Sequence, residues 1–157
     1  MLPWIGIVGT LVGAVVGFGL GRWGLARDRR RRLKGNREAL RAEVDLCAEF
    51  AERYLADKVL APLYRLPSSA FEKAFPNLLA DAALSRSQVA ALASFWGLVG
   101  EINRGLDQTH DARDGDQNRL GEEVNRLTAK CRKLLGKQEG VPSYVERARC
   151  ALSEIEG

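Results

Sequence analysis

The sequence predicts an all-α protein in which one N-terminal transmembrane helix precedes a cytoplasmic bundle of four to five helices. Three observations predict this fold. The first 21 residues carry no charged side chain, and a cluster of cations follows them directly. The rest of the chain has apolar residues at helical spacing and no alternating pattern typical of strands. A chain of 157 residues has room for one small domain besides such an anchor.

The apolar run over residues 1–21 has the length of a membrane span. At about 1.5 Å per residue, about 20 helical residues cross a hydrocarbon core of roughly 30 Å. Trp4 and Trp23 flank the run, where interfacial indoles are common. A cleaved signal peptide is the alternative, but it needs cations before the run and small residues after it. Since the cations follow and Ala26-Arg27-Asp28 is a poor cleavage site, we expect an uncleaved anchor over residues 1–26.

The orientation of the anchor follows from the charges beside it. The segment from Arg22 to Arg41 holds nine basic and two acidic residues, a net charge of +7, within a chain of net charge +4. Cations next to a span stay on the cytoplasmic side. We therefore expect the N-terminus outside and the C-terminal domain in the cytoplasm. The excess of arginine over lysine suggests a bacterial source, and hence the inner membrane.

The basic juxtamembrane segment, residues 27–41, is expected to contact anionic lipid headgroups. Each cation near an anionic surface contributes roughly 1 kcal/mol to binding. The same charges could neutralise nucleic-acid phosphates. That alternative is disfavoured because no aromatic residue interrupts the run and no nucleic-acid-binding motif accompanies it. The residues expected to contact headgroups are Arg27, Arg29, Arg30, Arg31, Arg32 and Lys34.

Glycines recur every four residues inside the span, at Gly9, Gly13, Gly17 and Gly21. This spacing places them along one side of the helix, where another backbone can approach closely. The pattern predicts association with a second copy or with another membrane protein. A glycine-rich helix that contacts only lipid is the alternative. The span contains no ionisable residue, so no ion pathway is marked.

The cytoplasmic bundle is expected over residues 42–157, and its first long helix over about residues 27–60. Pro62 and Pro67 predict an extended connector after that helix. The predicted buried stripe consists of Leu33, Leu40, Val44, Cys47, Ala51 and Tyr54, with Leu46, Phe50 and Leu55 widening it on one side.

Two short helices are expected after the connector. Ser69-Ala70-Phe71-Glu72 has the spacing of a reciprocal N-terminal capping pattern. Pro76 is expected to end the helix that it opens and to begin another over Asn77–Ala83. The residues expected to cover the end of the bundle are Phe71, Phe75, Leu78 and Leu79.

Three further helices complete the predicted bundle. Ser85-Arg86-Ser87-Gln88 opens the first, and Ser143-Tyr144-Val145-Glu146 opens the last. A helix over about Gln117–Leu135 lies between them. The polar stretch 109–118 is expected to be a loop or frayed helix ends. The apolar stripe of the first of these helices consists of Val89, Leu92, Trp96, Val99, Ile102 and Leu106.

The sequence contains no motif for catalysis, and we expect no enzyme, cofactor or metal site. Cys47, Cys131 and Cys150 are far apart, without the spacing of metal ligands, and are expected to be buried structural thiols. His110 has no marked partner. A calcium loop beginning at Asp114 would lack both its glycine and its final glutamate.

One polar cluster remains, made of Asn103, Arg104 and Asp107. Asn103 and Asp107 lie four residues apart, on one side of a predicted helix. They are expected to pair with the connector at Tyr64-Arg65. The cluster then stabilises the bundle or forms part of a partner-binding surface.

Together these features predict a single-pass, membrane-anchored interaction or scaffold protein. The glycines would associate helices, the cations would hold the domain at an anionic leaflet, and the bundle would present a surface to a partner. The alternative is a membrane effector, whose oligomerised spans perturb the bilayer.

Overall fold

A computed structural model describes the backbone of residues 3–57, 65–113, 117–136 and 142–155. Side chains are described within these ranges from residue 22 onward, except those of Arg113 and Gln117. The regular structure of the described residues consists of helices only, which confirms the all-α prediction for them. The helices are α1 (Pro3–Asp57), α2 (Ser69–Ala80), α3 (Arg86–Arg113), α4 (Gln117–Leu135) and α5 (Tyr144–Ser153).

The chain divides into two compact units, residues 1–35 and residues 36–156. In the described part of the chain, no helix is long and apolar enough to cross a membrane. The structure does not describe the side chains of residues 1–21, which contain the predicted span and its four glycines. The membrane anchor therefore stays a prediction.

The second unit is built around the buried face of α1 and the length of α3. Leu40, Val44, Cys47 and Ala51 are fully buried, as the apolar spacing of α1 predicts. The expected widening of this stripe is wrong at Leu46, which is 39% exposed. One residue corresponds to a turn of about 100° around the helix. The position next to Cys47 therefore faces away from the core.

Helix α3 is the central helix among the last three, since it packs more extensively against α4 and α5 than these two pack against each other. Its predicted stripe is buried from Leu92 to Leu106, and Val89 at its start is half-buried. Gly105 faces α4, where an added Cβ would lie 3.3 Å from Cδ1 of Leu127. The absence of a side chain at this position therefore lets Leu127 pack closely on α3.

Helix α2 corrects the prediction of two short helices, because Pro76 lies inside it. Proline lacks the N–H that would bond to the Glu72 carbonyl, and such a substitution in a helix interior costs about 3 kcal/mol. Both Pro76 and Glu72 are exposed, so water can reach that carbonyl. Ala74 and Leu78 are buried on the opposite side. Packing on both sides of the proline therefore holds one continuous helix. Leu79, expected to pack over the end of the bundle, is 45% exposed.

The end of α3 is also longer than predicted. The helix continues to Arg113, so the stretch 109–113, expected to be a loop or frayed end, is helical. Thr109 and Ala112 are buried, and the Thr109 hydroxyl donates to the Leu106 carbonyl at 2.8 Å. This local bond hides the polar group of Thr109, which allows the helix to extend through a polar sequence. Asp114 and Asp116 lie outside the described residues.

Two of the three predicted capping patterns are present. At the start of α3, the Ser85 amide donates to the Gln88 side chain at 2.7 Å, and the Gln88 amide donates to the Ser85 hydroxyl at 3.3 Å. At α5, Ser143 and Glu146 form both bonds of the capping box. These reciprocal bonds satisfy amides that a helix start leaves open.

Candidate functional site

The basic collar, defined as Arg27, Arg29–Arg32 and Lys34, is solvent-exposed along α1. Trp23 and Leu25, which precede it, are 65% and 70% exposed. The Arg27 guanidinium lies over the Trp23 ring, 5.8 Å from its centroid, which is cation–π distance. An exposed indole and an exposed leucine next to six cations form an amphipathic surface in the first unit.

A shallow groove of about 430 Å³ runs along the same part of α1. Leu25, Ala26 and Leu33 supply its apolar lining, and Arg29 and Arg30 line it with guanidinium groups. These five positions recur with a helical spacing of three to four residues, so they share one side of α1. Arg31 and Arg32 belong to the basic collar but do not line the groove.

In the second unit, the predicted polar cluster contacts the connector that precedes α2. The Asn103 side chain bonds to both backbone groups of Leu66: its Oδ1 accepts from the amide at 2.8 Å, and its Nδ2 donates to the carbonyl at 2.9 Å. Asp107 pairs with Arg65 at 2.6 Å. The pairing expected with Arg65 is present, whereas Tyr64 lies outside the described residues. Arg104 is exposed.

Glu43 of α1 supplies the N-terminal cap of α2. Its Oε1 accepts from the Ala70 amide at 2.7 Å and its Oε2 from the Phe71 amide at 2.8 Å. The expected cap from Ser69 is wrong: Ser68 is the capping position, and its hydroxyl donates to Glu72 instead of accepting from the backbone. A carboxylate at a helix N-terminus is stabilised by open amides and by the helix dipole.

A stack of aromatic rings lies beside this cap. Trp96 of α3 donates its indole Nε1–H to Glu43 at 3.1 Å. The Phe71 ring stacks on Trp96 with centroids 4.5 Å apart and on Phe75 at 4.6 Å. Phe95 meets Trp96 edge-on at 4.9 Å. Such pairs contribute roughly 0.5–1.5 kcal/mol each beyond their buried area. Glu43 and the rings thus join α1, α2 and α3.

The cysteines divide into two buried thiols and one exposed thiol. Burial, with a smaller contribution from the Glu43 carboxylate, raises the pKa of Cys47 to about 12. Burial likewise raises the pKa of Cys131 to about 12. The expectation of a buried thiol is wrong for Cys150, whose pKa is raised by its hydrogen bond to Glu154. Neutral, buried thiols are poor nucleophiles and poor metal ligands.

A polar cleft of about 230 Å³ lies between α1 and α5. Three of its four carboxylates are engaged in structural contacts: Asp45 pairs with Arg149 at 2.7 Å, Glu49 pairs with Arg53, and Glu146 belongs to the α5 cap. The bonds to Ser143 lower the pKa of Glu146. Of these contacts, the Asp45–Arg149 pair joins α1 to α5, whereas the other two are local to one helix.

A comparison with protein-family models, curated proteins and solved structures finds no match to this chain. Within the described ranges, no group of three or more His, Cys, Asp or Glu side chains is arranged to hold a metal ion. Of the residues described above, Glu43 was missed by sequence reasoning. The only signal in the sequence was that Glu43 directly precedes Val44 of the apolar stripe. A carboxylate at the edge of a buried stripe needs hydrogen-bond donors to replace water.

Proposed function

We propose that the chain is a single-pass membrane-anchored interaction protein, which presents its helical second unit to a partner on the cytoplasmic side. The observation that carries this proposal is the exposed basic collar, which begins six residues after the uncharged run 1–21 ends. Cations beside an apolar run both orient a span and bind anionic lipid. The proposed partner is a second copy or another membrane protein.

The energetics of the basic collar support this placement. Six cations at roughly 1 kcal/mol each would hold the adjoining chain firmly at an anionic leaflet. The exposed indole of Trp23 is an amphipathic group of the kind found in the interfacial layer. In the described part of the second unit, most large apolar side chains are buried and most charged side chains are exposed. Since charged groups are costly to place in the hydrocarbon core, this surface favours a location outside the bilayer.

A C-terminal fluorescent fusion that matures only in the cytoplasm tests the orientation. The full chain should stay in the membrane fraction after an alkaline wash and should fluoresce. Replacing the six collar residues by glutamine should give mixed orientation and weaker fluorescence. A matched control replaces six cations of the second unit, namely Arg53, Arg126, Lys130, Arg132, Lys133 and Arg147. Full release of the wild-type chain by the wash would contradict the proposal.

The partner is identified by purifying the full chain from native membranes in mild detergent, followed by mass spectrometry and size analysis. A stoichiometric second protein supports an anchor or accessory subunit, and that partner's chemistry would then define the pathway. A homo-oligomer supports association through the glycines. In that case Gly13→Leu should weaken association in a membrane helix-dimerisation assay, whereas Val15→Leu, on the opposite side of the predicted helix, should not.

The tandem glycine spacing also favours a second candidate function, a self-oligomerising membrane effector. Close backbone packing of several spans could perturb the bilayer. Expression would then arrest growth or depolarise the membrane, and Gly13→Leu would abolish the effect while Val15→Leu would preserve it. Expression without depolarisation would leave the interaction protein as the sole proposal.

A further inference from the structure

The groove on α1 differs chemically from the rest of the basic collar. All six collar cations are exposed, and among them Arg29 and Arg30 lie beside an apolar lining made by Leu25, Ala26 and Leu33. The groove has a volume of about 430 Å³ and is open to solvent, since Leu33 is its only buried lining residue. An apolar lining with two adjacent guanidinium groups is complementary to a ligand that has both an apolar chain and an anion.

The position of the groove along α1 specifies that ligand further. The uncharged run that is expected to cross the hydrocarbon core ends at Gly21. At about 1.5 Å per residue, Leu25 and Ala26 lie roughly 6–8 Å beyond Gly21 along the helix, and Arg29 and Arg30 roughly 12–14 Å. The headgroup layer is roughly 5–8 Å thick on each side of the hydrocarbon core. Leu25 and Ala26 would thus lie within the headgroup layer, and the long side chains of Arg29 and Arg30 would extend back to the phosphates from its outer edge.

We propose that this groove is a specific site for one anionic phospholipid of the cytoplasmic leaflet. Arg29 and Arg30 would bind the phosphate, since guanidinium groups form paired, charge-assisted hydrogen bonds to phosphate oxygens. Leu25 and Ala26 would pack against the lipid carbon atoms between the phosphate and the acyl chains. The proposal rests on the membrane anchoring proposed above, and it adds a stoichiometric lipid site to a basic collar that would otherwise attract anionic lipid diffusely.

Native mass spectrometry of the purified full chain in mild detergent tests the site. Phosphatidylglycerol is added to one sample and zwitterionic phosphatidylcholine to another. We expect one retained phosphatidylglycerol per chain and no retained phosphatidylcholine. Arg30→Gln should lower phosphatidylglycerol retention about fivefold, the effect of roughly one cation at an anionic surface. Arg31→Gln removes the same charge outside the groove and should lower retention less than twofold.

A second variant tests the apolar part of the groove without changing charge. Ala26→Trp fills the space between Leu25 and Arg30, so it should abolish retention, while Gly24→Ala should have no effect. Far-ultraviolet circular dichroism confirms that each variant is helical. Glycerol phosphate at millimolar concentration should not displace the bound lipid.

Three outcomes would overturn the lipid site. Equal losses for Arg30→Gln and Arg31→Gln would show diffuse attraction only. Displacement by glycerol phosphate would show a site for the anion alone. Retention unaffected by Ala26→Trp would show that the groove is not occupied. These measurements use purified protein with added lipid and test the lipid site alone. Anchoring is tested separately, by whether the alkaline wash releases the wild-type chain.

Discussion

The indole Nε1 of Trp96 donates a hydrogen bond to the Glu43 carboxylate at 3.1 Å, in the interior of the second unit. The same carboxylate accepts from the amides of Ala70 and Phe71, so it satisfies three donors on two other segments. A buried carboxylate is tolerated when several donors replace its water. Glu43 therefore acts as the polar junction of α1, α2 and α3.

Removing this junction should strongly destabilise the second unit. Glu43→Ala leaves three donors without their acceptor, and each buried unsatisfied group costs roughly 1–3 kcal/mol. We expect a loss of about 3 kcal/mol or more in the free energy of unfolding, measured by urea denaturation. The control is Glu49→Ala, also on α1, which removes an exposed ion pair with Arg53 and should cost less than about 0.5 kcal/mol. Equal effects would contradict the role of Glu43.

The polar cluster provides a second contrast, between Asn103 and Asp107. Asn103 satisfies both backbone groups of Leu66, so Asn103→Ala should destabilise the protein by roughly 1–3 kcal/mol. Asp107 pairs with Arg65 at the surface, where side-chain exposures are 44% and 65%. Asp107→Asn should therefore cost less than about 1 kcal/mol. Thermal denaturation of both variants checks the order, and a larger effect of Asp107→Asn would refute it.

Gly121, inside α4, and Gly136, directly after it, should respond to alanine in opposite directions. Gly136, at the end of α4, has φ of +70°, and an added Cβ would lie 2.4 Å from the Cβ of Ser143. Gly136→Ala would place a Cβ on a backbone with positive φ and would bring that Cβ too close to Ser143. The substitution should therefore lower the free energy of unfolding by about 2 kcal/mol or more. An added Cβ at Gly121 meets nothing within 4 Å, so Gly121→Ala should stabilise the helix by roughly 0.5–1 kcal/mol. If urea denaturation shows that both substitutions stabilise the protein, or that both destabilise it, this prediction is contradicted.

The thiols should differ in their accessibility to a thiol reagent. Cys150 is exposed, whereas Cys47 and Cys131 are buried with pKa values raised to about 12. At pH 8, one thiol per chain should react with Ellman's reagent under native conditions and three in denaturant. Cys150→Ser should remove the native reaction. Rapid reaction of all three thiols in the folded protein would contradict the burial of Cys47 and Cys131.

The same burial predicts that stability falls at alkaline pH. The pKa of each buried thiol is raised from 9.0 to about 12 on folding. The stability is therefore fully present below pH 9 and is lost as the pH rises from 9 toward 12, because the unfolded thiols ionise first. Each thiol lowers the free energy of unfolding by at most about 1.4 kcal/mol per pH unit in this window. The Cys47→Ala, Cys131→Ala double variant should lose stability less steeply in the same pH series. If the stability of the wild type and of the double variant fell in parallel over this pH range, the assignment of the alkaline loss to Cys47 and Cys131 would be contradicted.

Local patterns in the sequence determined much of the fold. The apolar spacing predicted the buried face of α1 and the bounds of α4, and the Ser85 and Ser143 capping patterns marked two helix starts. These features can be predicted because helical periodicity and caps join residues three to four positions apart. The charge pattern also located the basic collar, whose exposure agrees with it.

Only the tertiary structure decided the contacts that span long stretches of chain. Glu43 caps a helix 27 residues away and bonds to an indole 53 residues away, and no local pattern encodes these partners. Packing of Leu78 holds α2 together through Pro76. Periodicity thus specified which residues face the interior, and the packing of distant segments specified which polar groups meet there.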